Sequence, residues 1–334
     1  MGVMATAVSL DATWRQLPDT CRCGMVMTVA LAALGAVWVF CLVTRVLHGI
    51  WVTFLRPGHN LVRRYGDWAI VTGATDGIGK AYVRQLARLK INVVAVSRAE
   101  EKLRDLAKEV EGSFPVEVRT VAVDFTTPDL AGSLTAVEKA VSDIEVGILV
   151  NNVGLSYPFA QYLHELNVQT AMDIIKVNVE GTTRMTHLAL PGMLKRKRGA
   201  IVNIGSGAAT VLPSDPLYSV YAGTKGFVDH FSRTLYAEYK HHGIDVQCQA
   251  PLYVTTKLSK IRQSSLFIPT PDTFAKFGVK WIGYEPRCTP YWVHAIMWCV
   301  ISMLPEGWMD SIRLKQSLAI RKRALLKEKM KKGE

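Results

Sequence analysis

The chain has 334 residues, is 49% hydrophobic and carries a formal net charge of +12. That length supports one large or two small domains with a well-buried core, and the apolar share is high for a protein that lives wholly in water. No nucleic-acid motif accompanies the positive charge, so a membrane surface or an acidic ligand is its expected partner, and nucleic acid is not.

The first feature in chain order is an apolar run. The 22 residues from Cys23 to Thr44 hold no acid or base other than cysteine, enough at about 1.5 Å per helical residue to cross a hydrocarbon core of roughly 30 Å. A secretory signal is the alternative, but it would have a shorter apolar core and a basic leader, whereas residues 1–22 carry Asp11, Arg15, Asp19 and Arg22 in balance. A retained, single-pass anchor is expected. Residues 45–64 contain Arg45, Arg56, Arg63 and Arg64 and no acid, which places everything after the anchor on the cytosolic side.

From Trp68 onward short β-branched runs alternate with stretches long enough for helices. The runs cover residues 69–72, 91–96, 118–123, 146–150, 200–204 and 244–248. This pattern predicts buried parallel strands in an α/β, doubly wound Rossmann fold with a transmembrane helix at its N-terminus. Between the first strand and helix lies Thr72-Gly-Ala-Thr-Asp-Gly-Ile-Gly79. Glycines there allow a tight turn and let backbone N–H groups approach a pyrophosphate at a helix N-terminus. The candidate cofactor contacts in this loop are Gly73, Thr75, Asp76, Gly77, Ile78 and Gly79. The second strand ends in Ser97-Arg98, where an acidic residue would favour NAD and an arginine accommodates the 2′-phosphate of NADP. Ser97, Arg98 and Lys102 are therefore candidate NADPH contacts, and Asp124, closing the third strand, is a candidate partner for the adenine amine.

Further on, Tyr221 and Lys225 stand four apart in helical sequence. That spacing stacks a phenol and an ammonium on one face, and a cation beside a phenol of ordinary pKa about 10 lowers that pKa. A chance helix-surface pair has the same spacing, so the other motifs must decide. They are Asn151-Asn-Val-Gly154 after the fourth strand, Asn178 in the following helix and Ser206 after the fifth strand. Taken with the glycine loop and Tyr221-x-x-x-Lys225, this ordered set resembles the short-chain dehydrogenase/reductase superfamily over roughly residues 66–260.

The resemblance implies a tetrad in which Tyr221 protonates a carbonyl oxygen, Ser206 stabilises that oxygen, Lys225 binds the nicotinamide ribose and lowers the Tyr221 pKa, and Asn178 holds a water on Lys225. Ser206 and Tyr221 are then the substrate contacts, and Asn151, Val153, Tyr221, Lys225, Val254 and Thr256 are added to the cofactor contacts. Two departures stand out: Val153 where the family has alanine, and Pro251-Leu-Tyr-Val254 where it has Pro-Gly. The segment from Ser206 to Tyr221 also looks longer than is usual, which leaves their separation open.

Arg63-Arg-Tyr-Gly-Asp-Trp68, Val220-Tyr-Ala-Gly-Thr-Lys225, Gly243-Ile-Asp-Val-Gln-Cys-Gln249, Thr255-Thr-Lys257 and Cys288-Thr-Pro-Tyr-Trp292 together resemble the very-long-chain 3-oxoacyl-CoA reductases, most of all the plant branch, relatives of the 17β-hydroxysteroid dehydrogenases. This implies NADPH-dependent reduction of a 3-oxoacyl-CoA in fatty-acid elongation at the endoplasmic reticulum membrane. A 17-ketosteroid reductase and a non-catalytic elongase scaffold are the alternatives. Long-chain acyl-CoA, membrane lipid, elongase-complex proteins and a second copy of the chain are the expected partners.

The remaining sequence is less readable. Residues 290–304 are apolar but short for a span, so they read as a buried core helix, with a lipid-facing or acyl-binding helix as the alternative. From Ser311 nine Lys or Arg face two Glu, which reads as a solvated basic tail near lipid headgroups, ending in a dilysine form that resembles a retrieval signal. Six cysteines show no metal spacing, and no metal is expected. The expected division is a lumenal N-terminus at 1–22, the anchor at 23–44, a juxtamembrane segment at 45–65, the NADP-binding catalytic domain at 66–260, a substrate- or membrane-proximal region at 261–310 and a cytosolic tail at 311–334.

Overall fold

The computed structural model describes residues 18–332, so residues 1–17 of the charge-balanced segment expected at 1–22, and the last two residues of the dilysine ending, lie outside the described residues. The chain divides into two compact units, residues 1–56 and 57–334. In the first, helix α1 (Asp19–Ile50) continues through a π-helical turn at Trp51–Leu55. It contains one stretch, Cys23–Leu55, long and apolar enough to cross a membrane. The helix thus runs past the expected end at Thr44, through Arg45 and His48. Both are long or amphipathic side chains whose polar ends can reach toward headgroups from the end of an apolar helix.

The second unit is built on a parallel sheet of seven strands in the order β3-β2-β1-β4-β5-β6-β7. The strands are β1 (Trp68–Thr72), β2 (Asn92–Ser97), β3 (Val118–Ala122), β4 (Val146–Asn151), β5 (Gly199–Ile204), β6 (Ile244–Gln249) and β7 (Arg287–Cys288). Six match the predicted runs to within one residue. The seventh is two residues long, held by Cys248 N–H on Pro286 O and Ala250 N–H on Cys288 O, both at 2.8 Å.

Alternation along the strands explains why both faces are covered. In β1, Ala69 and Val71 point into one apolar layer, while Trp68 and Ile70 point into the other. Val93 and Ala95 of β2 follow the first pattern, Val94 and Val96 the second. The first layer is closed by helices α2 (Leu61–Tyr65), α3 (Gly77–Arg88), α4 (Glu100–Glu111) and later α10 (Pro271–Trp281), whose Phe274 and Ala275 are fully buried. The second is closed by α5 (Leu130–Ala140) and α7 (Thr182–Arg196), through Leu134, Val137, Met185 and Met193.

Strand order reverses between β1 and its neighbours β2 and β4, and a cleft at that switch point is where a doubly wound sheet binds ligands. The C-terminal region belongs to the same unit. Helix α11 (Trp292–Ile301) buries Val293 and His294 but exposes Ile296 and Val300, so only one face matches the expected core helix. Residues 306–332 form a helix, α12 (Glu306–Lys332). Its first turns pack inward through Met309, Arg313 and Ser317, so this part of the expected tail is folded against the domain.

Candidate active site

The glycine loop leaves β1 and enters α3 with Asp76 as its N-cap, the Asp76 carboxylate accepting from Gly77 N–H at 2.8 Å. Gly73 and Gly77 have positive φ, +63° and +53°, the region glycine enters without steric cost. Gly79 is required for a different reason: a methyl there would collide with the Gly73 carbonyl and the Asn152 amide. The backbone is therefore left bare along the loop, as a phosphate cradle needs. Thr75 and Ser97 are joined hydroxyl to hydroxyl at 2.8 Å. Arg98 and Lys102 stand exposed just past β2. Asp124 caps its own turn by accepting from the Thr126 N–H and hydroxyl at 2.9 and 2.8 Å. Those bonds hold its pKa below the ordinary value, with the nearby Arg98 charge adding to the effect.

Asn152, which sequence reasoning passed over, locks this loop to β4. Its amide donates to Thr72 O at 3.0 Å and Gly73 O at 3.2 Å, and the N–H groups of Asn152 and Val153 both donate to the Thr72 hydroxyl, at 3.0 and 3.1 Å. The only sequence signal was its place in the Asn-Asn-Val-Gly motif. Asn151 sits differently. Its buried amide donates to Thr186 and Asn203, at 3.0 and 2.8 Å, so its side chain is not among the groups gathered at the glycine loop. On the other side of the loop, the Thr256 methyl lies against Gly77 and Lys257 pairs with Asp76. Val254 is buried, its carbonyl accepting from Ser259 at 2.6 Å.

Four of the predicted residues converge beyond β4 and β5. Ser206, two residues past the end of β5, caps the short helix α8 (Gly207–Thr210), accepting from Ala208 N–H at 3.2 Å. Tyr221 lies in the first turn of helix α9 (Ser219–Tyr239), where the Ser206 hydroxyl is near enough to lower the pKa of its phenol. The segment between them brings the two side chains to the same site. Tyr157 fixes the start of α9 by accepting from Val220 N–H at 3.1 Å, another contact the sequence did not reveal. Lys225, one turn beyond Tyr221, is only 5% exposed and donates to Ile204 O at 2.8 Å.

Asn178 is fully buried in a π-helical turn, Lys176–Gly181, between α6 (Val168–Ile175) and α7. Its amide donates to Leu155 O at 3.0 Å and to the Thr224 hydroxyl at 2.9 Å, while its carbonyl accepts from Leu155 N–H at 2.8 Å. Gly154 lies between Asn178 and Lys225: a methyl there would touch Asn178 Oδ1 at 3.4 Å and Lys225 Nζ at 3.6 Å, ordinary contact distances.

The electrostatic balance differs from the simple expectation for a Tyr–Lys pair. Burial pushes the Tyr221 hydroxyl above its ordinary pKa. The nearby Ser206 hydroxyl offsets part of that rise, and the Asp215 and Tyr253 charges add to it. Lys225 does not reverse the shift, because its ammonium is turned to the Ile204 carbonyl and burial pushes it down to about 8. Tyr221 is thus held in its protonated form, the form from which a proton can be given.

Comparison with known proteins agrees with this arrangement. The short chain dehydrogenase family profile matches residues 67–265. A very-long-chain 3-oxoacyl-CoA reductase-like protein of Arabidopsis thaliana is 45% identical over 79% of this chain and 85% of its own. The very-long-chain 3-oxoacyl-CoA reductase of Homo sapiens is 42% identical over 79% and 84%. A human protein named inactive hydroxysteroid dehydrogenase-like protein 1 is 36% identical over 92% and 94%. Among solved structures, a short-chain dehydrogenase from Sphingobium yanoikuyae in complex with NADPH is 28% identical, with a TM-score of 0.58 over 64% of this chain and 83% of that one. With a glycine cradle at the switch point and a Ser–Tyr–Lys–Asn cluster beside it, matched by a profile that spans both, the chain belongs to the short-chain dehydrogenase family.

Proposed function

We propose that this protein is an NADPH-dependent reductase that converts very-long-chain 3-oxoacyl-CoA to 3-hydroxyacyl-CoA. The observation that carries the reading is the gathering of Tyr221, Ser206 and a buried Lys225 beside the glycine loop, in a chain 42% identical to a human protein named for that activity. NADPH supplies the hydride when bound. The bare backbone at Gly73, Gly77 and Gly79 fits its pyrophosphate, with Thr75, Asp76 and Ile78 around it. Ser97 and Arg98, with Lys102 one turn further, suit a 2′-phosphate; Asp124 suits the adenine amine, and the backbone from Asn151, the end of β4, to Val153, with Val254 and Thr256, suits the nicotinamide side.

Tyr221 gives its proton to the 3-oxo oxygen as negative charge develops there, and Ser206 donates a hydrogen bond to the same oxygen, stabilising it most in the transition state. Lys225 holds the nicotinamide ribose and, with a pKa of about 8, is positioned to exchange protons near neutral pH. Asn178 keeps the Leu155 and Thr224 groups around it in place.

The apolar helix suits a substrate whose acyl chain partitions into a bilayer. The arginine-rich flank after that helix supports a catalytic unit on the cytosolic face, where NADPH is supplied; we place the reaction at the endoplasmic reticulum, in the company of other elongation enzymes, as the sequence resemblance implies. The test uses membranes bearing the full chain, NADPH and either a long 3-oxoacyl-CoA or a 17-ketosteroid, followed at the nicotinamide absorbance band. Oxidation with the acyl-CoA, reduced at least about a hundredfold by Tyr221→Phe, is expected. Oxidation with the steroid alone would move the reading to a steroid reductase. NADPH binding without turnover of either would make the chain a non-catalytic relative.

A further inference from the structure

Helix α12 lies beyond the segment that the family profile matches, yet its inward residues reach the site. Met309, Arg313 and Ser317 recur every four residues and are 8%, 6% and 0% exposed, which is one stripe down a helix. This stripe and its neighbours meet three separate loops at the C-terminal edge of the sheet. Arg313 pairs with Asp215 and donates to the Tyr253 hydroxyl at 3.0 Å and to Gln316 at 3.1 Å. Asp310 accepts from Ser214. Arg321 pairs with Glu165 and lies over the Tyr162 ring at 5.5 Å. Ser214 and Asp215 belong to the segment that carries the chain from Ser206 to Tyr221; Tyr253 follows β6, and Tyr162 and Glu165 follow β4.

We propose that Arg313 is a positioning residue of the reductase site: through Asp215 and Tyr253 it fixes the Ser206–Tyr221 segment against the loop after β6. The inference rests on the reductase reading above. A role limited to stability fits the contacts poorly. Buried ion pairs are an inefficient source of stability, because the cost of removing both charges from water offsets much of their attraction. This pair also leaves the Arg313 Nε–H and the Ser317 hydroxyl buried without a partner among the described residues. What the guanidinium does supply is a fork: one arm is on Asp215 and the other on Tyr253, two groups on different loops. A lysine could neutralise Asp215 but could not hold both at fixed angles.

The experiment compares four full-length forms in detergent micelles: wild type, Arg313→Met, Arg313→Lys and the double variant Asp215→Asn/Arg313→Met. Thermal midpoint, NADPH affinity by nucleotide fluorescence, and kcat and KM for a long 3-oxoacyl-CoA are measured for each. Arg313→Met is expected to lower kcat/KM by about tenfold or more, with NADPH affinity within about twofold of wild type. The double variant leaves no unpaired buried charge, so it regains the thermal midpoint but not kcat/KM, and Arg313→Lys recovers the midpoint more than the activity. A double variant that regains both, or an Arg313→Met form with wild-type kcat/KM, overturns the proposal. Should the wild type reduce another ketone and not the acyl-CoA, the substrate reading falls, and the same four-way comparison on that ketone still judges Arg313.

Discussion

Asn178 and Leu155 are joined twice, the Asn178 amide donating to Leu155 O at 3.0 Å and the Leu155 N–H donating to Asn178 Oδ1 at 2.8 Å. A side-chain amide so engaged acts as a strand partner for a loop, and the π-helical turn that carries it is what brings it there. Such turns cost hydrogen-bond regularity and recur at functional sites.

Replacing the fully buried Asn178 with alanine strands the part-buried Leu155 N–H and carbonyl and removes a partner of the buried Thr224 hydroxyl. Each buried group left unpaired costs about 1–3 kcal/mol. Asn178→Ala is therefore expected to lower the thermal midpoint clearly and to reduce turnover by more than about tenfold. An unchanged midpoint would show that the loop does not depend on this contact.

Gly79→Ala places a methyl against the Gly73 carbonyl and the Asn152 amide, two groups already bonded to each other at 3.2 Å. Neither can retreat without opening the contact between the glycine loop and β4. The expected result is a loss of about 1–3 kcal/mol of stability from overpacking, together with loss of NADPH binding in a fluorescence titration. Gly307→Ala, where nothing lies within 4 Å, is the control and should be neutral or mildly stabilising. Equal NADPH affinity in both variants would contradict the cradle.

Arg98 stands past the end of β2, close enough to Asp124 to lower its pKa. If the guanidinium receives the 2′-phosphate, Arg98→Ala removes a charge-assisted contact that NADH never makes. The ratio of kcat/KM for NADPH over NADH should then fall by about tenfold to a hundredfold, through the NADPH value alone. A ratio unchanged in steady-state kinetics would reassign the phosphate contact to another group.

The parts of this molecule that were legible in the sequence are those encoded locally. Six strands announced themselves because β-branched runs such as Ile70-Val71 and Val93-Val94 must be buried on both faces. The glycine loop was legible because turn chemistry is short-range. β7 was not, since two residues carry no pattern. The inward face of α12 was missed because two of its three buried residues are polar, Arg313 and Ser317, so no apolar stripe marks it. Its partner Asp215 lies 98 positions earlier in the chain. The spacing of Tyr221 and Lys225 puts both on one face of a helix, but spacing alone does not say where an ammonium points. Here the Ile204 carbonyl takes it, and burial decides the Tyr221 shift.

His294 gives the protein an acid limit to its stability. Its ring is fully buried, with Nδ1 facing the Leu252 N–H at 3.3 Å and Nε2 at 3.2 Å from Phe267 O. An N–H donor on one side and a carbonyl on the other are satisfied together only by the neutral ring with its proton on Nε2, which then donates to Phe267. Burial pushes the pKa down to about 4, against an ordinary value of about 6.5. Between those two values the unfolded chain binds a proton that the folded chain refuses, so stability falls as pH falls. The contribution is complete above about pH 6.5 and is lost progressively toward pH 4, by about 3 kcal/mol at most. His294→Gln keeps an acceptor and a donor but does not titrate, so it should flatten this limb. Denaturant unfolding of both forms in micelles across that range is the measurement. Parallel loss of stability in the two forms would assign the acid limit to other groups.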